Sequence, residues 1–223
     1  MHDLWRAGHA EVTSRIGTWN LAGRWSAAHE QLLTDLDCDV LLLTEVRRDV
    51  ELASYHRHLG RADMTSRRAW AGVYSRRPIT PLDDPHPASA MARVDERTYC
   101  SSILPWKGAG DRPPWAGGSH ADRVSETTES LRPHLDRATI WGGDFNHALH
   151  GREYAGGRAG RVHVEGLLRE LELRVPTTHL AHRIGGLLSI DHVAVPTGSV
   201  VSSACRVDGT GLSDHDAYVV TLE

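Results

Sequence analysis

Five short apolar runs, spread along almost the whole chain, each adjoin a carboxylate, a carboxamide or an imidazole, and no other feature restricts the fold as much. Arg15-Ile16-Gly17-Thr18-Trp19 ends at Asn20, Val40-Leu41-Leu42-Leu43-Thr44 at Glu45, and Thr139-Ile140-Trp141 leads into Gly143-Asp144-Phe145-Asn146. Leu187-Leu188-Ser189-Ile190 runs into Asp191-His192, with Val193-Ala194-Val195 continuing that strand. Gly211-Leu212-Ser213-Asp214-His215-Asp216 precedes the closing strand Ala217-Tyr218-Val219-Val220-Thr221. A uniformly apolar strand is covered on both faces, so a polar group at its end lies where the sheet meets solvent. Ligands of layered α/β folds gather at the carboxyl ends of such strands. In Gly143-Asp144-Phe145-Asn146 the period of two in extended chain turns acid and amide to one side. The plainer alternative is a strand end with an Asx turn.

The intervening segments supply the covering layers. Residues 25 to 37 carry Ala28, Leu32, Leu33 and Leu36 at helical spacing. Residues 69 to 75 and 88 to 94 read as strands joined through the proline-rich turn 78 to 87, and 98 to 104 as another, ended by Pro105. Residues 119 to 136 suit a helix with Ser119 or Ser125 as N-cap and with Pro133 ending or kinking it. A second helix fits 162 to 173, where Val164, Leu167, Leu168 and Leu171 share a face, and 205 to 208 suits a short strand. The stretches 109 to 119 and 147 to 160 are broken by glycine and proline and are expected to rim a site. Gly156 to Gly160 lacks both a preceding apolar strand and a phosphate-loop lysine, which favours a flexible loop.

Residues 1 to 14 are expected to be an N-terminal extension and 15 to 223 a single domain. A chain of this size buries on the order of 70% of its unfolded surface, enough for two packed sheets. No long apolar segment spans a membrane and Met1-His2-Asp3-Leu4-Trp5-Arg6 holds no signal-peptide core. Cys38, Cys100 and Cys205, odd in number and far apart, read as reduced, mostly buried thiols, so a cytoplasmic location is expected, with no obligate protein partner in evidence. Lys and Arg total 25 against 29 Asp and Glu, a net charge of −4. Proteins that neutralise many duplex phosphates present a basic stripe. Here Lys107 is the single lysine and the arginines cluster locally at 67–68, 76–77 and 152–161. The balance disfavours duplex DNA slightly and leaves small phosphate esters open.

Taken in order, Trp19-Asn20, Glu45, Gly143-Asp144-Phe145-Asn146, Ile190-Asp191-His192 and Ser213-Asp214-His215 resemble the endonuclease/exonuclease/phosphatase superfamily, the group that contains DNase I, apurinic endonucleases, inositol phosphatases and neutral sphingomyelinases. The resemblance covers nearly the whole chain and implies a four-layer α/β/β/α sandwich, with two mixed β-sheets face to face and helices outside.

Hydrolysis of a phosphate ester needs an activated water, neutralised phosphoryl oxygens and help for the leaving oxygen. Magnesium accepts one or two carboxylates and keeps several waters, which suits Glu45 as main Mg²⁺ ligand with Asn20 and Asp214 supporting it, Mn²⁺ being the substitute. Zinc would ask for more nitrogen or sulfur. Asp144 is the candidate for orienting and deprotonating the water, with Asn146 donating to the phosphoryl group or holding Asp144. His215 is the candidate phosphate contact, polarised by a carboxylate that the resemblance places at Asp191. Lys107, Trp106 and Arg152 are candidate substrate contacts on the rim.

Two positions depart from the family pattern. Ile103 stands where many members carry a histidine or a tyrosine, leaving Lys107, Tyr99 or a loop arginine to supply that contact, and Ala22 stands where apurinic endonucleases place an aspartate. His147 and His150 are expected on a solvated loop, and His56, His58, His179 and His182 on the surface. Trp106 and Trp115 either stack on a base or sugar or plug the end of the sandwich. The expected activity is a Mg²⁺-dependent phosphodiesterase or nuclease acting on DNA or RNA. The runner-up is a phosphatase or phosphodiesterase for a small metabolite or lipid headgroup, and third comes a binding module without catalysis.

Overall fold

A computed structural model describes residues 13–223, so the first twelve residues of the expected extension lie outside the described residues. Its elements in chain order are β1 (Ser14–Asn20), α1 (Ala27–Asp35), β2 (Val40–Arg47), β3 (His56–Leu59), β4 (Asp63–Thr65), β5 (Arg68–Ser75), β6 (Ile79–Pro81), β7 (Ser89–Val94), β8 (Arg97–Ile103), α2 (His120–Leu131), β9 (Ile140–Asp144), α3 (Arg158–Glu170), β10 (Leu173–Arg174), β11 (Asp191–Pro196), β12 (Val201–Val207) and β13 (Ala217–Leu222). One sheet has the order β12-β13-β1-β2-β5-β3, with β4 also on β5; the other runs β10-β11-β9-β8-β7-β6. Both are mixed, because β1 and β2 pair in parallel, as do β8 and β9, while antiparallel pairs flank them.

The period of two explains how the layers form. Ile16, Val40, Leu42 and Val220 of the first sheet face Ala90, Ala92, Ile140, Val193 and Val195 of the second across the inter-sheet core. The alternate residues Trp19, Leu41, Leu43 and Val219 turn outward to Leu33 and Leu36 at α1. Cys100, Trp141 and Ala194 turn outward from the other sheet to Val124 and Leu131 of α2 and Val164 and Leu167 of α3. The result is the expected α/β/β/α sandwich. Asn20 shares its parity with Ile16, and Asp144 shares its parity with Ile140, so both side chains enter the space between the sheets at the same end.

Several boundaries differ from the sequence expectation. Leu187 to Ile190 is no strand: Ala181 and Leu188 form an isolated bridge, and Ser189 N–H donates to Leu180 O, so the chain folds back before β11 starts at Asp191. The helix expected from 162 starts at Arg158, with Gly157 as N-cap, so Arg158-Ala159-Gly160 forms its first turn rather than a flexible loop. A Cβ on Gly160 would stand 2.7 Å from His147 Nε2 and 2.8 Å from His120 Cε1, so glycine here serves close packing. The helix expected over 119 to 136 stops at Leu131, ahead of Pro133; Ser119 is its N-cap, in a capping box with Asp122. β3, β4, β6 and β10 escape detection because two to four residues carry no readable period. The strand expected at 205 to 208 is β12, an edge strand from Val201; Cys205 on it is exposed, whereas Cys38 and Cys100 are buried, and all three are free thiols. Among the described residues no helix is long and apolar enough to cross a membrane.

Candidate active site

Asn20 joins the two sheets at the polar end of the sandwich. Its Nδ2 donates to Glu45 Oε1 at 3.2 Å and to Asp144 Oδ2 at 3.0 Å, and its Oδ1 accepts the Ala22 N–H at 2.8 Å. Two carboxylates on one side and an N–H on the other admit only one orientation of this amide. Strict alternation would send Glu45 outward after Leu41 and Leu43, but its φ of +50° re-aims the carboxylate toward Asn20. A non-glycine residue in that region costs of order 1 to 3 kcal/mol and persists where its surroundings hold it. The holding group is Arg68, the first residue of β5, whose Nη1 donates to Glu45 Oε2 at 2.7 Å.

In the second sheet, antiparallel pairing of β9 and β11 sets Asp144 opposite Asp191. Both carboxylates are buried. Asp191 Oδ2 accepts from His215 Nδ1 at 2.7 Å, while Asp191 Oδ1 is buried with no hydrogen-bond partner among the described residues. His215 Nε2 lies 3.9 Å from Asp144 Oδ2, beyond a hydrogen bond, and so keeps a donor for a third group. The turn before β13 is fixed by Ser213, whose Oγ donates to Asn20 O at 2.6 Å and accepts the His215 N–H at 3.1 Å. Trp19 Nε1 donates to His215 O at 3.0 Å. Asn20 and Asp144 thus end β1 and β9 and Glu45 lies two residues before the end of β2, whereas Asp191 and His215 stand at or just before the start of antiparallel strands.

These contacts set the protonation of the cluster. Burial raises the Asp144 carboxyl to about 7, with Asp191 adding to the rise and His215, Asn20 and the Asn146 N–H opposing it. Burial alone would lower His215, but the carboxylates of Asp191 and Asp144 outweigh it and raise the imidazole to about 10. At neutral pH the site therefore holds an imidazolium beside an Asp144 carboxyl shifted strongly toward its neutral form, two groups whose protons are linked. Ligand atoms of Asp144, Asp191 and His215 lie within 4.8 Å of one another, a group that could hold a metal ion. Two of these three residues offer carboxylate oxygens, one oxygen orphaned, which fits a hard divalent cation.

The remaining expected site residues divide. Asn146 follows the end of β9 with φ +53°, and its N–H donates to Asp144 Oδ1 at 3.0 Å, so the Asp144–Asn146 pair is an Asx turn and not two alternating strand positions. One N–H of its Nδ2 donates to Leu104 O at 3.0 Å. Asp214 is exposed, and its Oδ1 lies 3.4 Å from Ser213 Oγ. Lys107 is exposed, with its backbone N–H on Ala155 O at 2.9 Å, which ties the 105–119 loop to the 147–160 loop as rims. Arg152 is exposed on the second of these.

Trp106 is half-buried, edge-on to Trp115, which is itself buried against Trp70 and Ile103; Trp115 is the plug. Ile103 pairs in register with Asp144 and is buried, so no polar group reaches the site from that position. Tyr99 lies in the inter-sheet core opposite Ile140, too far back along β8 to replace one.

The expected solvated His147 is instead fully buried, its Nδ1 on Phe145 O at 2.7 Å and its ring stacked on His120; burial pushes it down to about 4. His182, expected on the surface, is buried beside Tyr154, and His58 is largely covered and paired with Asp84 at 3.0 Å. Arg68 is a neighbour of Glu45 that the sequence did not single out. Its membership of the Arg67-Arg68 pair was the available signal, and that pair says nothing of Glu45.

A sequence model of the Endonuclease/Exonuclease/phosphatase family matches residues 17–215. A comparison with curated proteins finds no match. Among solved structures, an AP endonuclease from Archaeoglobus fulgidus superposes with a TM-score of 0.71 at 14% identity, covering 94% of this chain and 99% of that one. An AP endonuclease from Leishmania major gives a TM-score of 0.69 at 15% identity, covering 95% and 88%. A humanized D. rerio TDP2 gives 0.60 at 12% identity, covering 95% and 99%. At such identities these likenesses concern the fold.

Proposed function

Because the chain belongs to the endonuclease/exonuclease/phosphatase family, we propose that it is a divalent-cation-dependent phosphoesterase, in the first place a phosphodiesterase or nuclease cleaving DNA or RNA. The observation that carries this reading is the buried Asp144, held by Asn20 on one side and facing the Asp191–His215 pair on the other.

Asp144 orients the attacking water and takes its proton, a role favoured by a carboxyl poised at about 7. The Asn146 N–H fixes the rotamer of Asp144 and leaves Oδ2 to Asn20 and the water. His215, kept charged by Asp191, donates from Nε2 to a phosphoryl oxygen and neutralises charge that grows in the transition state. Mg²⁺ or Mn²⁺ would be held by carboxylate oxygens of Glu45, with Asn20 orienting that side chain and Asp214 as a further ligand. The cation supplies neutralisation of phosphoryl oxygens and a more acidic water. Lys107, Trp106 and Arg152 on the rim loops contact the substrate beyond the scissile group.

The acidic net charge of −4 favours a second reading, hydrolysis of a small phosphorylated metabolite or lipid headgroup. The deciding experiment is a panel of single-stranded and duplex DNA, RNA and phosphorylated small molecules with Mg²⁺ or Mn²⁺, beside Asp144→Asn and EDTA controls. Turnover of bis-p-nitrophenyl phosphate that survives EDTA, or survives Asp144→Asn, sinks the assignment. Oligonucleotide cleavage with a steep salt dependence selects the nuclease over the metabolite enzyme.

A further inference from the structure

Glu45 is spoken for on both oxygens. Asn20 donates to Oε1 and Arg68 to Oε2, at 3.2 and 2.7 Å. The Arg68 side chain is 28% exposed and that of Glu45 22%, so the pair is reachable from solvent without being lost in it. Its seat is shaped for a guanidinium: Gly23, at φ +65°, lies so close beneath that a Cβ there would come within 2.2 to 2.3 Å of Arg68 Cζ, Nη2 and Nε. The Gly23 N–H also donates to Glu45 O at 3.0 Å, which binds seat and carboxylate into one unit. Among the described residues Arg68 Nε and Nη2 meet no acceptor, so two sets of donors in a planar fork remain available.

We propose that Arg68 is a positioning residue that acts as the built-in counter-cation of Glu45, weakening the hold of this carboxylate on a divalent ion until a phosphate oxygen takes over the guanidinium. The proposal rests on the reading above that Glu45 is a cation ligand. A fixed positive charge on a carboxylate oxygen competes with any second cation for the same lone pairs and repels it. An anionic phosphate is the natural second acceptor for the fork. Cation and substrate would then strengthen each other's binding, as reciprocal coupling requires.

The test is Mn²⁺ binding to the full chain without substrate, read from the spin-resonance signal of free Mn²⁺, so that turnover does not enter. Arg68→Gln should bind Mn²⁺ roughly fivefold more tightly than wild type, the scale of a part-exposed ion pair. Arg68→Lys, which keeps the charge, should stay within about twofold of wild type on the same scale. Gly23→Ala, which pushes the guanidinium off its seat while keeping it in the protein, should shift toward Arg68→Gln. Equal affinity for wild type and Arg68→Gln overturns the proposal, as does Arg68→Lys binding as tightly as Arg68→Gln. Glu45→Gln separates the two levels: if it binds Mn²⁺ as wild type does, the reading of Glu45 as a ligand fails and the proposal with it. If it loses Mn²⁺ while Arg68→Gln is unchanged, the proposal alone fails.

Discussion

The two halves of the site are built on opposite principles. On the first sheet Glu45 is part-exposed and satisfied, with a donor on each oxygen and a positive charge beside it. On the second, Asp144 and Asp191 are buried opposite each other, with one oxygen orphaned and a single imidazole between them. A carboxylate that is hydrated or paired keeps its charge at little cost, whereas burial beside a like charge makes ionisation expensive and shifts the proton equilibrium toward neutral pH. The first half is suited to holding a ligand and the second to moving a proton.

Asp144→Asn tests the contrast most strongly. Turnover should fall about 10²- to 10⁴-fold, the usual worth of a positioned acid or base. The variant should be at least as stable as wild type above pH 7, because a buried charge has been removed; loss of fold by circular dichroism would make Asp144 structural instead. Asp191→Asn should act next, through His215. In the cation-free protein the imidazole, raised to about 10, should drop toward the ordinary value of about 6.5, followed by its NMR titration. A His215 that still titrates near 10 would locate the cause elsewhere.

The stability of the cation-free protein should follow the same signs. Both groups bind protons more tightly folded than unfolded, so their contributions are full below the unfolded values, about 3.9 for Asp144 and 6.5 for His215. They fade as pH rises through about 7 and about 10 respectively. Calorimetric melting across pH 4 to 10 should show the first decline in wild type and lose it in Asp144→Asn. The smallest effect lies away from the chemistry: Gly160→Ala forces a methyl against His147 and His120 and should cost about 1 to 3 kcal/mol. That corresponds to a melting point lower by roughly 2 to 4 °C per kcal/mol for a chain of this size. Turnover should be unchanged; a large loss would draw His147 into the site.

Much of this was legible in the residues. The uniformly apolar runs at Arg15 to Trp19 and Val40 to Thr44 identified two core strands and their polar ends, and of the two serines offered as N-cap of the helix after residue 119, Ser119 is the one that caps α2. The cluster of Asp144, Asp191 and His215 was also legible as a set, since each adjoins a strong apolar run. What misled was extending local periodicity past its end. Asp144 and Asn146 were aligned by alternation, yet β9 stops at Asp144 and an Asx turn takes over. Leu187 to Ile190 is apolar enough for a strand, yet Leu187 and Ser189 pair with His182 and Leu180 within their own fold-back, and Ile190 O reaches the Phe145 N–H beyond it. His147 looked like a loop residue by composition, and only the packing of α2 and α3 buries it.

The sequence by itself determined the longer core strands, the polar residues at their ends and, through the ordered motifs, the family. All three are local or ordinal properties, and chain periodicity carries them. Tertiary structure decided that Asp191 faces Asp144, that a left-handed turn at Glu45 brings its carboxylate to Asn20, and that Arg68 closes over it. Those outcomes depend on which strands become neighbours and in what register. Pairings across 23 and 47 residues of sequence are set by the packing of two whole sheets and leave no local trace.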